Sequence, residues 1–174
     1  MAAEASNTIT LTSADGTPIT VSRKAGMMCQ IVKDLMEDLP ESETSLPIPV
    51  SQVETATLKK IVAWLQEHEN DVPKKKEDSK EMEIRSVEES RLEPRDQTFF
   101  KTLNQEELFA LICAANFLDV SGLLNGLTVF VAEQIRGMST QEMRDYFGIE
   151  SDFTPEEEAQ IRAEHEWANN PKNN

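Results

Sequence analysis

The run NQEELFALICAANFLDV, Asn104 to Val120, places apolar residues on nearly every face of the helix it encodes: Leu108, Phe109, Leu111, Ile112, Ala114, Ala115, Phe117 and Leu118. A helix lying on the surface of a domain shows a single apolar stripe, whereas one that is apolar all round belongs at the centre. The rest of the chain is therefore expected to wrap it. SGLLNGLTVFVAEQIRG follows with Leu123, Leu124, Leu127, Phe130, Val131 and Ile135, and Gly137 is a natural helix stop. STQE, Ser139 to Glu142, has the form of a capping box and opens a short helix carrying Met143, Tyr146 and Phe147.

The amino-terminal part reads differently. TITLTSADGTPITVS, Thr8 to Ser22, alternates Ile9 and Leu11, then Ile19 and Val21, around a Ser-Ala-Asp-Gly turn, the pattern of a β-hairpin. From Lys24 to Leu39, Met27, Met28, Ile31, Val32, Leu35 and Met36 have helical spacing, with Gly26 weakening or interrupting the start. LPIPV, Leu46 to Val50, suits an edge strand between prolines. Leu58, Ile61, Val62 and Leu65 then recur at i, i+3, i+4 and i+7, predicting a helix over residues 53–67 that packs on the small sheet. Strand, strand, helix, strand, helix is an α+β module.

Between Leu65 and Phe99 there is no aromatic residue, and KKKEDSKEMEIRSVEESRLEPR offers little to bury. Asp71 to about Pro94 is expected to be a flexible charged linker; Lys74, Lys75 and Lys76, followed by Glu77 and Asp78, read as a solvated loop rather than a phosphate or import patch. The 17 Lys and Arg against 32 Asp and Glu, a net charge of -15, argue against nucleic acid and anionic membrane surfaces as partners. Without a long apolar run or a basic, apolar start, the chain is expected to be soluble and intracellular, cytoplasmic and nuclear. Cys29 and Cys113, both inside helical patterns, are expected as reduced, buried thiols.

Reactive groups are scarce. His68 in EHEN and His165 in EHEW stand apart from any HExxH or His/Cys pattern, and both are expected to be exposed helix histidines rather than metal ligands. No glycine-rich phosphate loop occurs, neither cysteine has a histidine beside it in sequence, and Glu156, Glu157 and Glu158 fit a solvated helix start better than acid/base work. These residues point to neither cofactor, metal nor catalysis. A small hydrolase would require the fold to bring Cys29 or Cys113 beside a histidine.

The segment SDFTPEEEAQIRAEHEW opens with Thr154 as N-cap, Pro155 at the first helical position and Glu157 placed to complete a capping box. Its apolar stripe is narrow, Ala159, Ala163 and Trp167, with Ile161 and Ala168 far round the helix. Two readings remain for such a helix: a surface element whose tryptophan tucks onto its own core, or a docking helix completed by a partner.

LFALICAANFLDVSGLLN, SDFTPEEEAQIRAEHEW, LTSADG and LKKIVAWL together resemble the S-phase kinase-associated protein 1 family, the F-box-binding adaptors of SCF (cullin-RING) ubiquitin ligases, from about Thr8 to Ala168. The resemblance implies an α+β fold: a BTB/POZ-type module, a small sheet with helices, followed by extra C-terminal helices. Its division would be residues 1–70 as the first part of the module, 71–95 as linker, 96–137 as the module's helical part, and 138–174 as F-box-binding helices and tail. It implies a non-catalytic adaptor bridging F-box proteins and a cullin scaffold, with self-association of the free protein. Carried over by motif, the F-box surface would comprise Leu123, Leu124, Val131, Ile135, Phe147, Trp167 and Ala168, and the cullin surface Asn116 and Phe117, core packing being the other reading of Phe117. Pro155 matches a position hydroxylated and glycosylated in some members, although a first helical proline needs no modification to explain it. Arg95 stands where the family has the tryptophan of a Trp-Asp pair, GMSTQEM replaces a Thr-Pro-Glu-Glu run, and the linker is lysine-rich, all marks of a divergent paralogue. The reading from another class is a self-associating BTB-type structural or transcription-related protein that binds neither partner.

Overall fold

Alternation over Thr8–Ser22 becomes β1 (Thr8–Thr12) and β2 (Pro18–Ser22), antiparallel with Ile9 opposite Val21 and Leu11 opposite Ile19. β3 (Ile48–Pro49) pairs in parallel with β1, Leu11 opposite Ile48, which gives the order β2-β1-β3 and leaves the proline-flanked strand at an edge. A proline lacks the N–H that a central strand would need. The computed structural model describes residues 7–38, 46–71 and 92–164. It divides into two units, Met1–Glu133 and Gln134–Asn174. Among the described residues no helix is long and apolar enough to cross a membrane.

In the first unit the expected helix after the hairpin is broken into α1 (Arg23–Gly26) and α2 (Gln30–Asp38). Gly26 sits so close to the hairpin that a Cβ there would lie 3.0 Å from Ile9 Cδ1, so the break falls where the backbone meets the sheet without a side chain between. α3 (Thr55–His68) buries Leu58, Ile61, Val62, Trp64, Leu65 and His68. α4 (Pro94–Lys101) follows, then α5 (Gln105–Phe117) and α6 (Ser121–Ile135). One core joins Ile9, Leu11 and Val21 from the sheet to Leu58, Ile61 and Leu65 of α3, Leu108 and Leu111 of α5, and Leu123 and Leu127 of α6.

Four expectations need correction here. The stretch assigned to the linker ends early: Pro94 and Arg95 already belong to α4, with proline in the first turn, where its missing N–H costs nothing. Residues 72–91, including Lys74, Lys75 and Lys76, lie outside the described residues. His68 is buried, 5% exposed, in phase with Ile61 and Leu65 on the inner face of α3. Cys29 is buried as expected, its thiol pushed up to about 12 by loss of solvent, but Cys113 is exposed. Finally, α5 is not enclosed: Ala110, Cys113 and Asn116 are exposed and Phe109 and Phe117 half-buried. Alanine and cysteine count as apolar in a sequence, yet they offer little surface to bury and leave that face open.

In the second unit, α7 (Thr140–Phe147) and α8 (Pro155–Glu164) each begin with the anticipated capping box. Ser139 Oγ accepts from Glu142 N–H while the Glu142 carboxylate accepts from Ser139 N–H at 2.7 Å. Thr154 and Glu157 repeat the exchange, with Glu157 Oε2 accepting from Thr154 N–H at 2.8 Å. Gly148 closes α7 in the left-handed region at φ 65°, a conformation glycine adopts without strain.

Candidate functional site

The first unit holds a groove of about 280 Å³. Its lining comes from α5 through Ala110, Cys113, Ala114 and Phe117, and from the start of α3 and the turn before it through Gln52, Val53, Glu54 and Thr57. α5 is set by an N-cap that the sequence reading did not single out, in which Asn104 Oδ1 accepts from Glu107 N–H at 2.8 Å and Glu107 answers to Asn104 N–H at 3.1 Å. Lys60 of α3 approaches Glu107 at 2.6 Å, and this pairing, followed by the Asn104 N–H, holds the Glu107 carboxyl below its ordinary value. The opposite wall is held by the sheet: Val50 N–H donates to Thr12 C=O at 2.7 Å and Ala14 N–H to Val53 C=O at 2.9 Å. Asn116 is exposed on α5, and Phe117 beside it lines the groove.

A buried polar cluster lies between α3 and α4. Trp64 Nε1–H donates to Asp96 Oδ1 at 2.8 Å, and the indole stacks on His68 with ring centres 3.9 Å apart. His68 Nδ1 lies 2.7 Å from Asp71 Oδ2, and Nε2 lies 2.9 Å from Asp96 Oδ1 without an aligned hydrogen bond. Arg95 Nη2 pairs with Asp71, and its Nε donates to Glu93 at 2.9 Å. The Arg95 guanidinium, ahead of His68, holds the Asp71 carboxyl below its ordinary range. Arg95 thus anchors the start of α4 by charge. Both ring nitrogens of His68 face carboxylates, which is an architectural role rather than one beside a thiol.

Exposed apolar surface marks the second unit. Phe147 is 38% exposed, Ile149 58%, Phe153 45% and Ile161 40%, and α7 buries no residue at all. Single exposed apolar residues are ordinary, but a run of them on α7, α8 and the turn between is a feature of surfaces that bind. Arg144 Nη1 donates to Glu158 Oε1 at 2.8 Å and Ser151 Oγ to the same oxygen at 2.7 Å, joining the two helices.

The expected F-box residues fall into three groups. Phe147 is exposed, and Leu124, Val131 and Ile135 are half-buried, so all four present surface. Leu123 has no exposed surface and belongs to the core. Trp167 and Ala168 lie outside the described residues, as does His165. Pro155 is exposed at the first position of α8. The groove and the Trp64–His68–Asp96 cluster were missed. The position of His68, three residues after Leu65 and seven after Ile61, carried the signal for its burial; the partner Asp96, far along the chain, carried none.

Two family models match the chain: the Skp1 family tetramerisation domain over residues 7–70 and the Skp1 family dimerisation domain over residues 121–168. A protein named E3 ubiquitin ligase complex SCF subunit sconC from Arthroderma benhamiae is 40% identical over 168 residues, 97% of this chain and 99% of that protein. Proteins of the same name from Aspergillus flavus and Talaromyces marneffei are each 42% identical, over 94% of this chain and 98% of theirs. With both family domains in order and near-complete coverage by these relatives, this chain belongs to the Skp1 family.

Proposed function

We propose that this chain is a non-catalytic adaptor of an SCF-type ubiquitin ligase, bridging an F-box substrate receptor to a cullin scaffold. The observation that carries the reading is that one chain presents two separate open surfaces, the groove of α5 in the first unit and the exposed apolar residues of α7 and α8 in the second. The names of the relatives, subunits of an SCF complex, support it. The receptor surface comprises Leu124, Val131, Ile135, Phe147, Trp167 and Ala168, with Leu123 supporting α6 from beneath. The scaffold surface comprises Asn116, Phe117 and the groove beside them. The adaptor's contribution to ubiquitin transfer is proximity, holding bound substrate near the charged enzyme. In the absence of a receptor, self-association would cover the same apolar residues of the second unit. A cytoplasmic and nuclear protein of net charge -15 fits this role and repels nucleic acid.

The test is calorimetric titration of a purified F-box domain, and separately of a cullin scaffold, into the wild-type chain and single variants. Trp167→Ala is expected to weaken F-box binding at least about tenfold, since buried tryptophans at interface centres are worth roughly 2 to 4 kcal/mol, and to leave cullin binding unchanged. Phe117→Ala is expected to do the reverse. Absence of binding across several F-box domains and cullins would overturn the adaptor reading in favour of a self-associating BTB-type protein.

A further inference from the structure

The turn of the β1–β2 hairpin carries a cluster that the adaptor reading has not used. Asp15 Oδ1 accepts from Ser13 Oγ at 2.5 Å, from Thr55 Oγ1 at 2.6 Å and from Thr17 N–H at 3.2 Å. The Ser13 and Thr55 hydroxyl oxygens are themselves 2.7 Å apart, and Ser13 is buried. Thr55 is the first residue of α3, whose N-cap, Glu54, makes no side-chain cap bond and whose first turn has no acidic residue. The carboxylate such a helix start favours is therefore supplied from the hairpin. The groove wall is continuous with this point, because Val53, Glu54 and Thr57 line it. Val50 N–H to Thr12 C=O and Ala14 N–H to Val53 C=O tie the chain up to Val53 to the hairpin; the Asp15–Thr55 bond is the attachment on the α3 side, two residues past Val53, and attachments on both sides fix the direction of the wall as well as its position.

Resting on the adaptor reading, we propose that Asp15, through Ser13 and Thr55, is a positioning residue for scaffold binding, holding the wall of the α5 groove in the orientation that accepts the cullin. It touches no partner itself. The three donors also hold the Asp15 carboxyl well below the usual range, Ser13 contributing most, then Thr55, so the acceptor is ionised whenever the protein is folded near neutral pH.

The experiment compares the full chain with Asp15→Ala, Asp15→Asn and Thr55→Val by three readouts: affinity for a cullin scaffold, affinity for an F-box domain, and the rate at which N-ethylmaleimide labels Cys113. Cys113 is exposed on the groove while Cys29 is buried, so labelling reports the groove. Asp15→Ala and Thr55→Val are expected to weaken cullin binding about five- to tenfold, the scale of one lost hydrogen bond, to alter the Cys113 labelling rate, and to leave F-box affinity unchanged. Asp15→Asn keeps an acceptor oxygen and is expected to restore most of the loss. Wild-type cullin affinity in Asp15→Ala, or equal loss of both affinities, overturns the proposal. If the wild-type chain binds no cullin, the adaptor reading fails instead, and an unchanged labelling rate in Asp15→Ala would then overturn the positioning role separately.

Discussion

Removing the Asp96 carboxylate would leave the Trp64 indole N–H buried without its acceptor and open the space beside His68. A buried donor left unsatisfied costs about 1–3 kcal/mol, so Asp96→Ala is expected to lose stability on that scale in urea unfolding, while an Ala substitution at exposed Thr98 of the same helix changes little. Little of this cluster was legible in the sequence. Trp64 and His68 follow the helical phase of Ile61 and Leu65, and that periodicity could have been extended to them. Histidine is polar, and only its tertiary partner justifies burying it. Cys113 shows the opposite error: its neighbours are apolar, but among the described residues that face of α5 is left exposed.

Elements were more legible than contacts, because caps and turns are local chemistry. The hairpin with its SADG turn, the division at Gly26, and the capping boxes at Ser139 and Thr154 all occur where the residues call for them. The exception is the entry to α4, where charge density concealed a proline-led first turn. α8 is the element that depends most on local terms, since its described residues bury no large apolar side chain. Thr154→Ala removes the hydroxyl half of its capping box. Loss of such a cap costs typically about 1 kcal/mol, and here it is expected to appear as lost helicity in circular dichroism and faster exchange of α8 amides, with α3 and α5 unaffected. Ser139→Ala is the parallel case for α7.

At the scale of the whole molecule, acidity and exposed carboxylate chemistry dominate. Asp15, Asp71, Glu107, Glu142 and Glu157 are all held below their ordinary values, in each case chiefly by a hydrogen bond from a hydroxyl, a guanidinium, an ammonium or a backbone N–H. A carboxyl with a depressed folded value stabilises the fold above its unfolded value, and that contribution fades as pH falls through the folded one. Thermal stability is therefore expected to decline as pH drops below the ordinary 4.5 of glutamate and 3.8 of aspartate, and Asp15→Asn is expected to flatten the acid limb in differential scanning calorimetry. The candidate surfaces divide at this scale too. Trp167 stands out in sequence because its helix carries too few apolar residues to bury it, whereas the groove arises from small residues on α5 meeting a wall from another part of the chain. The joining of Asp71 to Arg95 has a wider consequence. Asp71 and Arg95 stand 24 positions apart in sequence, so their pairing ties together two points that the chain alone would leave independent. In general, each doubling in the length of a loop whose ends are tied costs only about 0.6 kcal/mol. A change in the length of sequence between Asp71 and Arg95 is therefore expected to disturb the fold on either side less than one of the same size elsewhere, a difference that urea unfolding of insertion variants would read.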